Sequence, residues 1–321
     1  MVLPELKRVV LEVFGGCNYS CQMCPQAGGR GSNWTRKMPL PLFKKIIEQI
    51  DGSPVVQLEG SGEAFMAKDL EKYIKICSDR GFKSYIYTNG SFVLGDNMKK
   101  AIDAGLSFIR FSCIGYNSSL YEKWMSKDNF DLIKFNVRKT IDYVNDSGSS
   151  CHVSSYHLIL DNSNVAFEID QYRKNFIDEL GTTAYIWKMH NWSGNYIPNY
   201  TRDTSKRRTC GRPSAPEITI RAGGLSGHQG AVTPCCQTMG PPNEDMSVLG
   251  HLDSNSLNEI YFGEKYQGLI SAHKEGRFDD LPFCKNCDFL YDDPEVLVWT
   301  NDHTAQTNHM LGTSFSLTEF Q

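Results

Sequence analysis

The chain has 321 residues, 40% of them hydrophobic and 22% charged, which suits one large α/β domain with a smaller module. Its 33 basic and 37 acidic residues give a net charge of −4, which disfavours nucleic acids and anionic membranes as partners. No apolar run approaches the ~20 residues of a membrane span, and the first residues lack the apolar core of a signal peptide. We therefore expect a cytoplasmic protein, whose eleven cysteines indicate metal or redox chemistry rather than disulfides.

The first predicted strand, residues 8–14, is short, apolar and rich in β-branched side chains, as is typical of a buried strand. It leads into a loop with C-x3-C-x2-C spacing, formed by Cys17, Cys21 and Cys24. An iron–sulfur cube normally takes four thiolates, so three would leave one iron open for another ligand. A zinc site would need a fourth ligand nearby, and the nearest histidine is His152. Flanking glycines and Pro25 favour a shaped, exposed loop over buried or disulfide-bonded cysteines.

Helical and strand-like segments then alternate along the chain. Further strands are predicted at residues 54–59, 82–88, 107–114, 151–160 and 182–189. Helices are predicted at residues 41–50, 70–80, 96–104, 130–144 and 165–180, with Asp96 as an N-cap residue. Strict alternation predicts an α/β fold with a parallel sheet, and chemistry at the carboxyl ends of its strands.

A three-cysteine loop directly after the first strand of such a chain resembles the radical S-adenosylmethionine (SAM) superfamily. The resemblance implies a partial (β/α)6 TIM-like barrel and a [4Fe–4S] cluster bound to the three cysteines and SAM. The open iron would chelate the amino and carboxylate groups of SAM. Reductive cleavage of SAM would then yield a 5′-deoxyadenosyl radical, which removes a hydrogen atom from the substrate. A one-electron donor such as flavodoxin or ferredoxin is implied as a partner.

The resemblance also assigns SAM-binding roles to residues at the strand ends. The second strand runs into Gly60-Ser61-Gly62-Glu63, where the superfamily usually has Gly-Gly-Glu binding the amino group of SAM. Gly62 lets the backbone approach a ligand and Glu63 can accept from an ammonium group, although a helix N-cap turn is the alternative. Met23 is expected to lie against adenine. The other expected contacts are Asn89 at the end of the third strand, Ser112 at the end of the fourth, and Asn162 or Asn164 after the fifth. Their order along the barrel supports these roles, because Ser and Asn are common turn residues.

The C-terminal third contains a second set of cysteines around a predicted hairpin at 217–221 and 231–234, with the segment 257–262 further along the chain. The candidate ligands are Cys210, Cys235, Cys284 and Cys287. Four thiolates suit either structural zinc or an iron–sulfur cluster. Their arrangement resembles the twitch module, a shortened SPASM domain that holds one auxiliary [4Fe–4S] cluster. The SPASM pattern, in which a glycine precedes the second cysteine, selects Cys235 over Cys236 as the ligand.

We therefore expect a radical SAM core at residues 8–200, a twitch module at 201–290 and a tail at 291–321. A polar stretch at 191–209 is predicted as a linker. Residues 296–299 are apolar enough to dock on the barrel, and the rest of the tail is predicted as a flexible end or a lid. Of the remaining thiols, Cys77, Cys113 and Cys151 are predicted in the core. Cys236 is either a plain buried thiol or a hydrogen-atom donor beside the auxiliary cluster.

Three functions fit these features. The first is a dehydrogenase that oxidises an alcohol of a sugar-like or aminocyclitol molecule, with the auxiliary cluster as electron acceptor. A first strand close to the N-terminus, without a preceding peptide-recognition segment, favours such a small substrate. The second is epimerisation, thioether formation or carbon–carbon crosslinking of a ribosomally made peptide, and the third is a non-catalytic Fe–S or Zn protein. Candidate substrate-binding or catalytic residues are Arg110, His152, Tyr156, His157 and His190, all equally readable as satisfied polar residues of the barrel interior.

Overall fold

The computed structural model describes residues 3–26, 36–93, 95–197, 207–238, 247–291 and 297–301, without the side chain of residue 297. Six parallel strands pair in chain order within these ranges. They are β1 (Arg8–Leu11), β2 (Val55–Gln57), β3 (Lys83–Thr88), β4 (Phe108–Ser112), β5 (His152–Leu158) and β6 (Thr183–Trp187). Consecutive parallel order confirms the predicted α/β partial barrel, and it brings all six carboxyl ends to one edge.

Helices cover the outer face of this sheet. They are α1 (Leu40–Glu48), α2 (Leu70–Asp79), α3 (Asp96–Asp103), α4 (Ser118–Met125), α5 (Phe130–Ser147) and α6 (Val165–Arg173). The predicted N-cap at Asp96 is wrong, because Gly95 is the capping residue and Asp96 lies in the first turn. Helix α4 was not predicted, and the predicted helix at 165–180 continues after Arg173 as a π-helical turn. None of the described helices is long and apolar enough to cross a membrane.

The two faces of the sheet differ in polarity. On β4, Ile109 and Phe111 are fully buried against the helices, each contributing about 1.5–3 kcal/mol of apolar burial. Arg110 lies between them and points to the opposite face, because successive side chains of a strand alternate. There its guanidinium contacts side chains of β3 and β5. The barrel interior is thus polar and aromatic, while the hydrophobic core lies between sheet and helices.

The C-terminal cysteine module is joined to the barrel through the same sheet. Its predicted hairpin forms as β7 (Glu217–Ile220) and β8 (Ala231–Thr233), followed by β9 (Gly250–His251). Strand β7 pairs in parallel with β1, so the described strands form one open sheet of ten. Helices α7 (Leu257–Tyr261) and α8 (Glu264–Glu275) complete the module.

The tail contributes a strand at the other edge of the sheet. Strand β10 (Leu297–Thr300) pairs antiparallel with β6, and Val298 and Trp299 are buried. This pairing matches the predicted docking of residues 296–299, of which 296 itself lies outside the described residues. The predicted lid or flexible end at 302–321 and the middle of the predicted linker, 198–206, also lie outside them.

Candidate cofactor and substrate site

The three-cysteine loop lies at the carboxyl end of β1, where barrel chemistry is expected. Its thiols, on Cys17, Cys21 and Cys24, are partly buried and close enough to interact electrostatically. The backbone is ordered by hydrogen bonds from the Tyr19 amide to Cys17 Sγ at 3.4 Å and from the Cys24 amide to the Cys21 carbonyl at 3.0 Å. Burial raises the pKa of Cys17 to about 11 and that of Cys21 further, so thiolates here need a neighbouring cation.

The loop after β2 packs directly on the cysteine loop. The Glu63 amide donates to the Gly16 carbonyl at 2.8 Å. A Cβ atom on Gly62 would lie 2.0 Å from the Phe14 carbonyl oxygen and 2.7 Å from that of Gly16. Glycine at position 62 therefore allows the cysteine-loop backbone to approach closely. The sequence-based expectation was that this glycine makes room for a ligand.

The Glu63 carboxylate is buried beside Cys17 and holds three donors. It accepts from the Phe65 amide at 3.1 Å, the Thr88 hydroxyl at 2.8 Å and the Asn89 amide at 2.7 Å. Burial raises its pKa, and these hydrogen bonds oppose that effect. The Asn89 side chain reaches back to Asn18 of the cysteine loop at 2.9 Å. Strand ends β2 and β3 are thus tied to the cysteine loop through Glu63 and Asn89.

Ser61 belongs to a buried chain of polar groups that reaches the C-terminal module. Glu12 Oε1 accepts from the Ser61 amide at 2.7 Å and from its hydroxyl at 2.8 Å. Arg221 donates to the same hydroxyl at 3.0 Å, and the Ala222 amide donates to Glu12 Oε2 at 3.0 Å. The predicted SAM loop is therefore held partly by residues that directly follow β7.

The remaining predicted SAM contacts have different surroundings. Met23 is 4% exposed and packs in the hydrophobic core near the loop. Ser112 ends β4 with its hydroxyl unbonded among the described residues, and Asn162 has a buried amide nitrogen that also lacks a partner there. Asn164 is exposed at the start of α6. Ser112 and Asn162 therefore offer free hydrogen-bonding groups, while Asn164 faces solvent.

Arg110 and aromatic rings line the barrel interior. The guanidinium stacks on Tyr185, 3.6 Å from the ring centroid, and donates to the Tyr87 hydroxyl at 2.9 Å and to Ser154 at 3.2 Å. Tyr156 packs edge-on against Trp187, with 5.8 Å between ring centroids. Flat aromatic faces with a fixed cation suit a compact polar ligand that stacks and forms hydrogen bonds.

Glu59 faces this interior and was missed in the sequence interpretation. It is the second residue after the end of β2 and is only partly exposed. Burial raises its pKa to about 7, although the positive charges of Arg8, Arg110 and Arg212 oppose the shift. A detectable signal was present, because Gln57 and Glu59 alternate with apolar residues in an otherwise buried strand.

The predicted histidines do not gather in the interior. His152 is the first residue of β5, paired with Phe108, and so lies at the end of the sheet opposite the cysteine loop. His157 is fully buried on the helix side, where it hydrogen-bonds Glu168 at 2.7 Å and stacks on Tyr172. His190 follows β6 and packs on Trp192 with 3.9 Å between ring centroids. The positions of His152 and His157 contradict a role at the carboxyl ends of the strands.

The four predicted C-terminal ligands line one small cavity, namely Cys210, Cys235, Cys284 and Cys287. Burial raises the pKa of all four thiols, that of Cys235 to about 12. His273 also lines the cavity, with Nε2 3.5 Å from Cys284 Sγ. Cys236 is not among the lining residues, and its thiol accepts from Arg212 Nη1 at 3.1 Å. These positions favour Cys235 over Cys236 as a ligand.

The spacing of the thiols distinguishes between a single ion and a cluster. Zinc draws its thiolates to about 2.3 Å from one centre, so they must converge closely. Among the described residues, no three His, Cys, Asp or Glu side chains converge enough to hold one metal ion. A four-iron cube is larger, and its ligands stand further apart around it. Neither cysteine set is thus preformed for one zinc ion, and three and four thiols are the numbers expected at a SAM-binding cluster and an auxiliary cluster.

Comparison with known families agrees with this geometry. Residues 11–164 match the Radical SAM superfamily, and residues 227–288 match SPASM, an iron–sulfur cluster-binding domain. The chain therefore combines a Radical SAM domain with a SPASM iron–sulfur cluster-binding domain, the domain pair of radical SAM proteins of the twitch/SPASM type. Its cofactors are SAM and two [4Fe–4S] clusters. Cys210 lies before the second match, and the other predicted ligands lie within the two matches.

Among curated proteins, a probable GTP 3′,8-cyclase of Saccharolobus islandicus is 28% identical over 127 residues, 39% of this chain. An Fe-coproporphyrin III synthase of Methanosarcina barkeri is 29% identical over 109 residues, 33% of this chain. The matches span 41% and 27% of those two proteins, respectively. They therefore cover part of the core only.

Solved structures resemble the chain over most of its length. BtrN in complex with AdoMet and 2-DOIA has a TM-score of 0.58 and 16% identity, covering 91% of this chain and 98% of BtrN. Streptococcus suis SuiB bound to the precursor peptide SuiA has a TM-score of 0.64 and 13% identity, covering 84% and 68%. An anSMEcpe complex with AdoMet and the Cp18Cys peptide has a TM-score of 0.56 and 13% identity, covering 90% and 92%. At these identities the likeness demonstrates the fold.

Proposed function

We propose that this radical SAM enzyme is a dehydrogenase that oxidises an alcohol carbon of a sugar-like or aminocyclitol molecule. In this proposal the substrate lies in the barrel interior against Arg110, Tyr156 and Trp187. When bound, SAM and its reduced cluster supply a 5′-deoxyadenosyl radical, and the auxiliary cluster supplies an acceptor for the second electron. The polar, aromatic character of the interior supports a compact polyol substrate, because its hydroxyl groups need partners once desolvated.

We assign the cofactor ligands by position. Cys17, Cys21 and Cys24 would hold the first cluster, and Cys210, Cys235, Cys284 and Cys287 the auxiliary one. Glu63 would accept from the SAM amino group, with Ser112 and Asn162 as further hydrogen-bonding groups beside it. Ser61, Gly62 and Asn89 would shape this pocket, since their described contacts are with protein atoms. Met23 would pack behind the loop.

One observation carries the dehydrogenase proposal: Arg212 joins the barrel interior to the auxiliary cavity. Its guanidinium lines the cavity and contacts the Cys236 thiol at 3.1 Å. The same charge acts on Glu59, which faces the interior. A substrate against Glu59 would thus share a charged neighbour, Arg212, with the auxiliary cavity. Short separation between substrate and cluster is what transfer of a second electron requires.

A second candidate function is modification of a ribosomally made peptide. It is favoured by the fold neighbours SuiB and anSMEcpe, both of which have been crystallised with peptides. Coverage does not rank the two functions, since it is 98% for BtrN and 92% for anSMEcpe. The polar, aromatic interior places the small-molecule function first. We further propose the division into core, twitch module and tail given above, a cytoplasmic setting, and flavodoxin or ferredoxin as the one-electron donor.

The proposal is tested with anaerobically reconstituted, dithionite-reduced protein. SAM is supplied with a panel of cyclitols, aminocyclitols and amino sugars, and mass spectrometry follows 5′-deoxyadenosine and new carbonyl groups. We expect both products with a member of the panel. In the C284A/C287A variant, 5′-deoxyadenosine should persist while the carbonyl product disappears. Formation of 5′-deoxyadenosine with a peptide substrate, but carbonyl formation with no panel member, would favour the second function instead.

A further inference from the structure

Glu59 stands at the junction of the barrel interior and the SAM loop. Leu58 is fully buried in the core, so the next side chain points to the opposite face, into the interior. Gly60 follows immediately and begins the loop that ends at Glu63. The carboxyl group therefore lies at the strand ends where the substrate must meet SAM, and not deeper in the barrel.

The surroundings of Glu59 are charged but leave its oxygens unbonded. Charged or titratable groups face it from several elements: Arg8 of β1, Tyr85 and Tyr87 of β3, Arg110 of β4, Tyr156 of β5 and Arg212 before β7. None of the described residues forms a hydrogen bond or a 4 Å ion pair with its carboxylate. The carboxylate oxygens are therefore open to hydrogen bonds from a ligand that enters the interior.

Other buried carboxylates at the ends of β1, β2 and β7 do have such partners. Glu12 binds Ser61 and Ala222, and Glu63 binds Thr88 and the Asn89 amide. Glu217 pairs with Arg8 and with Arg212, the latter at 3.6 Å. Each of these has a structural role that accounts for its burial. Glu59 is the contrasting case, since its carboxylate has no hydrogen-bond or ion-pair partner among the described residues.

We propose that Glu59 is a catalytic residue whose carboxylate binds the reacting hydroxyl group and takes its proton. This inference rests on the dehydrogenase function proposed above. The substrate carbon loses its hydrogen atom to the SAM-derived radical, and the O–H bond breaks with its proton transferred to Glu59. One electron passes to the auxiliary cluster as the C=O double bond forms. The two electrons and two hydrogens that the alcohol loses are thereby accounted for.

The acidity of the group suits this role. Burial places the pKa of Glu59 at about 7, and a general base is most effective when its pKa is near the working pH. Because only the carboxylate accepts a proton, the rate of ketone formation should rise with pH through about 7. In a variant without the carboxylate, this rise should disappear.

The decisive variant is E59Q, which keeps the shape of the side chain and removes its basicity. We expect SAM affinity and iron content within twofold of wild type, because Glu59 is not among the proposed ligands of SAM or of either cluster. Ketone formation should fall by at least ~100-fold, as general bases contribute about 10²–10⁴. E59D should retain part of this activity. E48Q, at an exposed position on α1 that pairs only with Lys44, is the matched control.

A binding measurement tests the contact between Glu59 and a ligand without requiring turnover. 2-Deoxystreptamine and myo-inositol serve as probes, and saturation-transfer NMR on the oxidised, cluster-loaded protein reports their binding at pH 6 and pH 8. For wild type, 2-deoxystreptamine should bind about tenfold more tightly at pH 8, since a carboxylate binds an ammonium group by a charge-assisted bond. In E59Q this pH dependence should vanish.

Three results would overturn the proposal. Ketone formation in E59Q at the wild-type rate would remove Glu59 as the base. A pH dependence of probe binding that survives in E59Q would assign it to another group. If wild type makes 5′-deoxyadenosine but binds neither probe, the small-molecule function itself is wrong. The first two outcomes leave the proposed function standing, whereas the third does not.

Discussion

His273 provides a quantitative test of the auxiliary site. The sulfur of a cluster-bound Cys284 has no proton and can only accept, so the Thr209 hydroxyl, which accepts from the Gly211 amide at 3.1 Å, donates its own proton to His273 Nδ1 at 3.0 Å. The imidazole therefore carries its proton on Nε2, which lies 3.5 Å from Cys284 Sγ. Burial lowers the pKa of His273 to about 4, so the ring is neutral at pH 7. His273 thus donates one hydrogen bond to a cluster ligand.

Replacing His273 with Phe keeps an aromatic ring and removes this donor. A hydrogen bond to the ligand sulfur favours the reduced, more negative cluster, so its loss should lower the reduction potential. A net hydrogen-bond contribution of about 0.5–1.5 kcal/mol corresponds to a shift of roughly 20–60 mV for one electron. T209V retains the imidazole but removes the hydroxyl that fixes its proton on Nε2. It should therefore lower the reduction potential by a smaller amount.

The assay is a redox titration followed by electron paramagnetic resonance. It is performed in the C17A/C21A/C24A background, so that the signal comes from the auxiliary cluster alone. Iron content verifies that H273F still holds a cluster. An unchanged or higher potential at full iron content would refute the hydrogen bond as the tuning interaction, and loss of all iron would instead implicate His273 in holding the cluster.

Three further predictions follow from the same geometry. C17A/C21A/C24A should abolish 5′-deoxyadenosine formation in an anaerobic assay, since only that loop places thiolates at the end of β1; continued formation would place the SAM-binding cluster elsewhere. C284A/C287A should lower iron from about eight to about four atoms per chain, whereas C236A should leave it unchanged. Equal iron content in wild type, C284A/C287A and C236A would mean that the C-terminal set binds no cluster. G62A should lower both the melting temperature and the iron content, because its Cβ would lie 2.0 Å from the Phe14 carbonyl. The matched control is G81A, where a Cβ meets nothing within 4 Å and any loss reflects backbone strain alone.

Local patterns determined much of the architecture. The six parallel strands and five of their helices are present where hydrophobic periodicity predicted them, with boundaries shifted by a few residues. Periodicity succeeds here because one face of each element is buried against the next. Helix α4 escaped this reasoning, since only Tyr121, Trp124 and Met125 of its eight residues are buried. The cysteine spacings likewise indicated two cluster sites, because a chelating loop is a local feature.

Only the tertiary structure decided which side chains meet. Burial raises the pKa of Glu59, and the charged or titratable groups around it come from five other segments, which no spacing in the sequence brings together. His152 is the first residue of β5 and so lies at the end of the strand away from the site. His157 lies on the face of β5 that packs against the helices. Pairing of β7 with β1 joined the cysteine module to the barrel across about two hundred residues, bringing Arg212 between Glu59 and the second set of cysteines. Such contacts depend on strand register and long-range packing. The sequence alone shows which side-chain types are present, but not which of them meet.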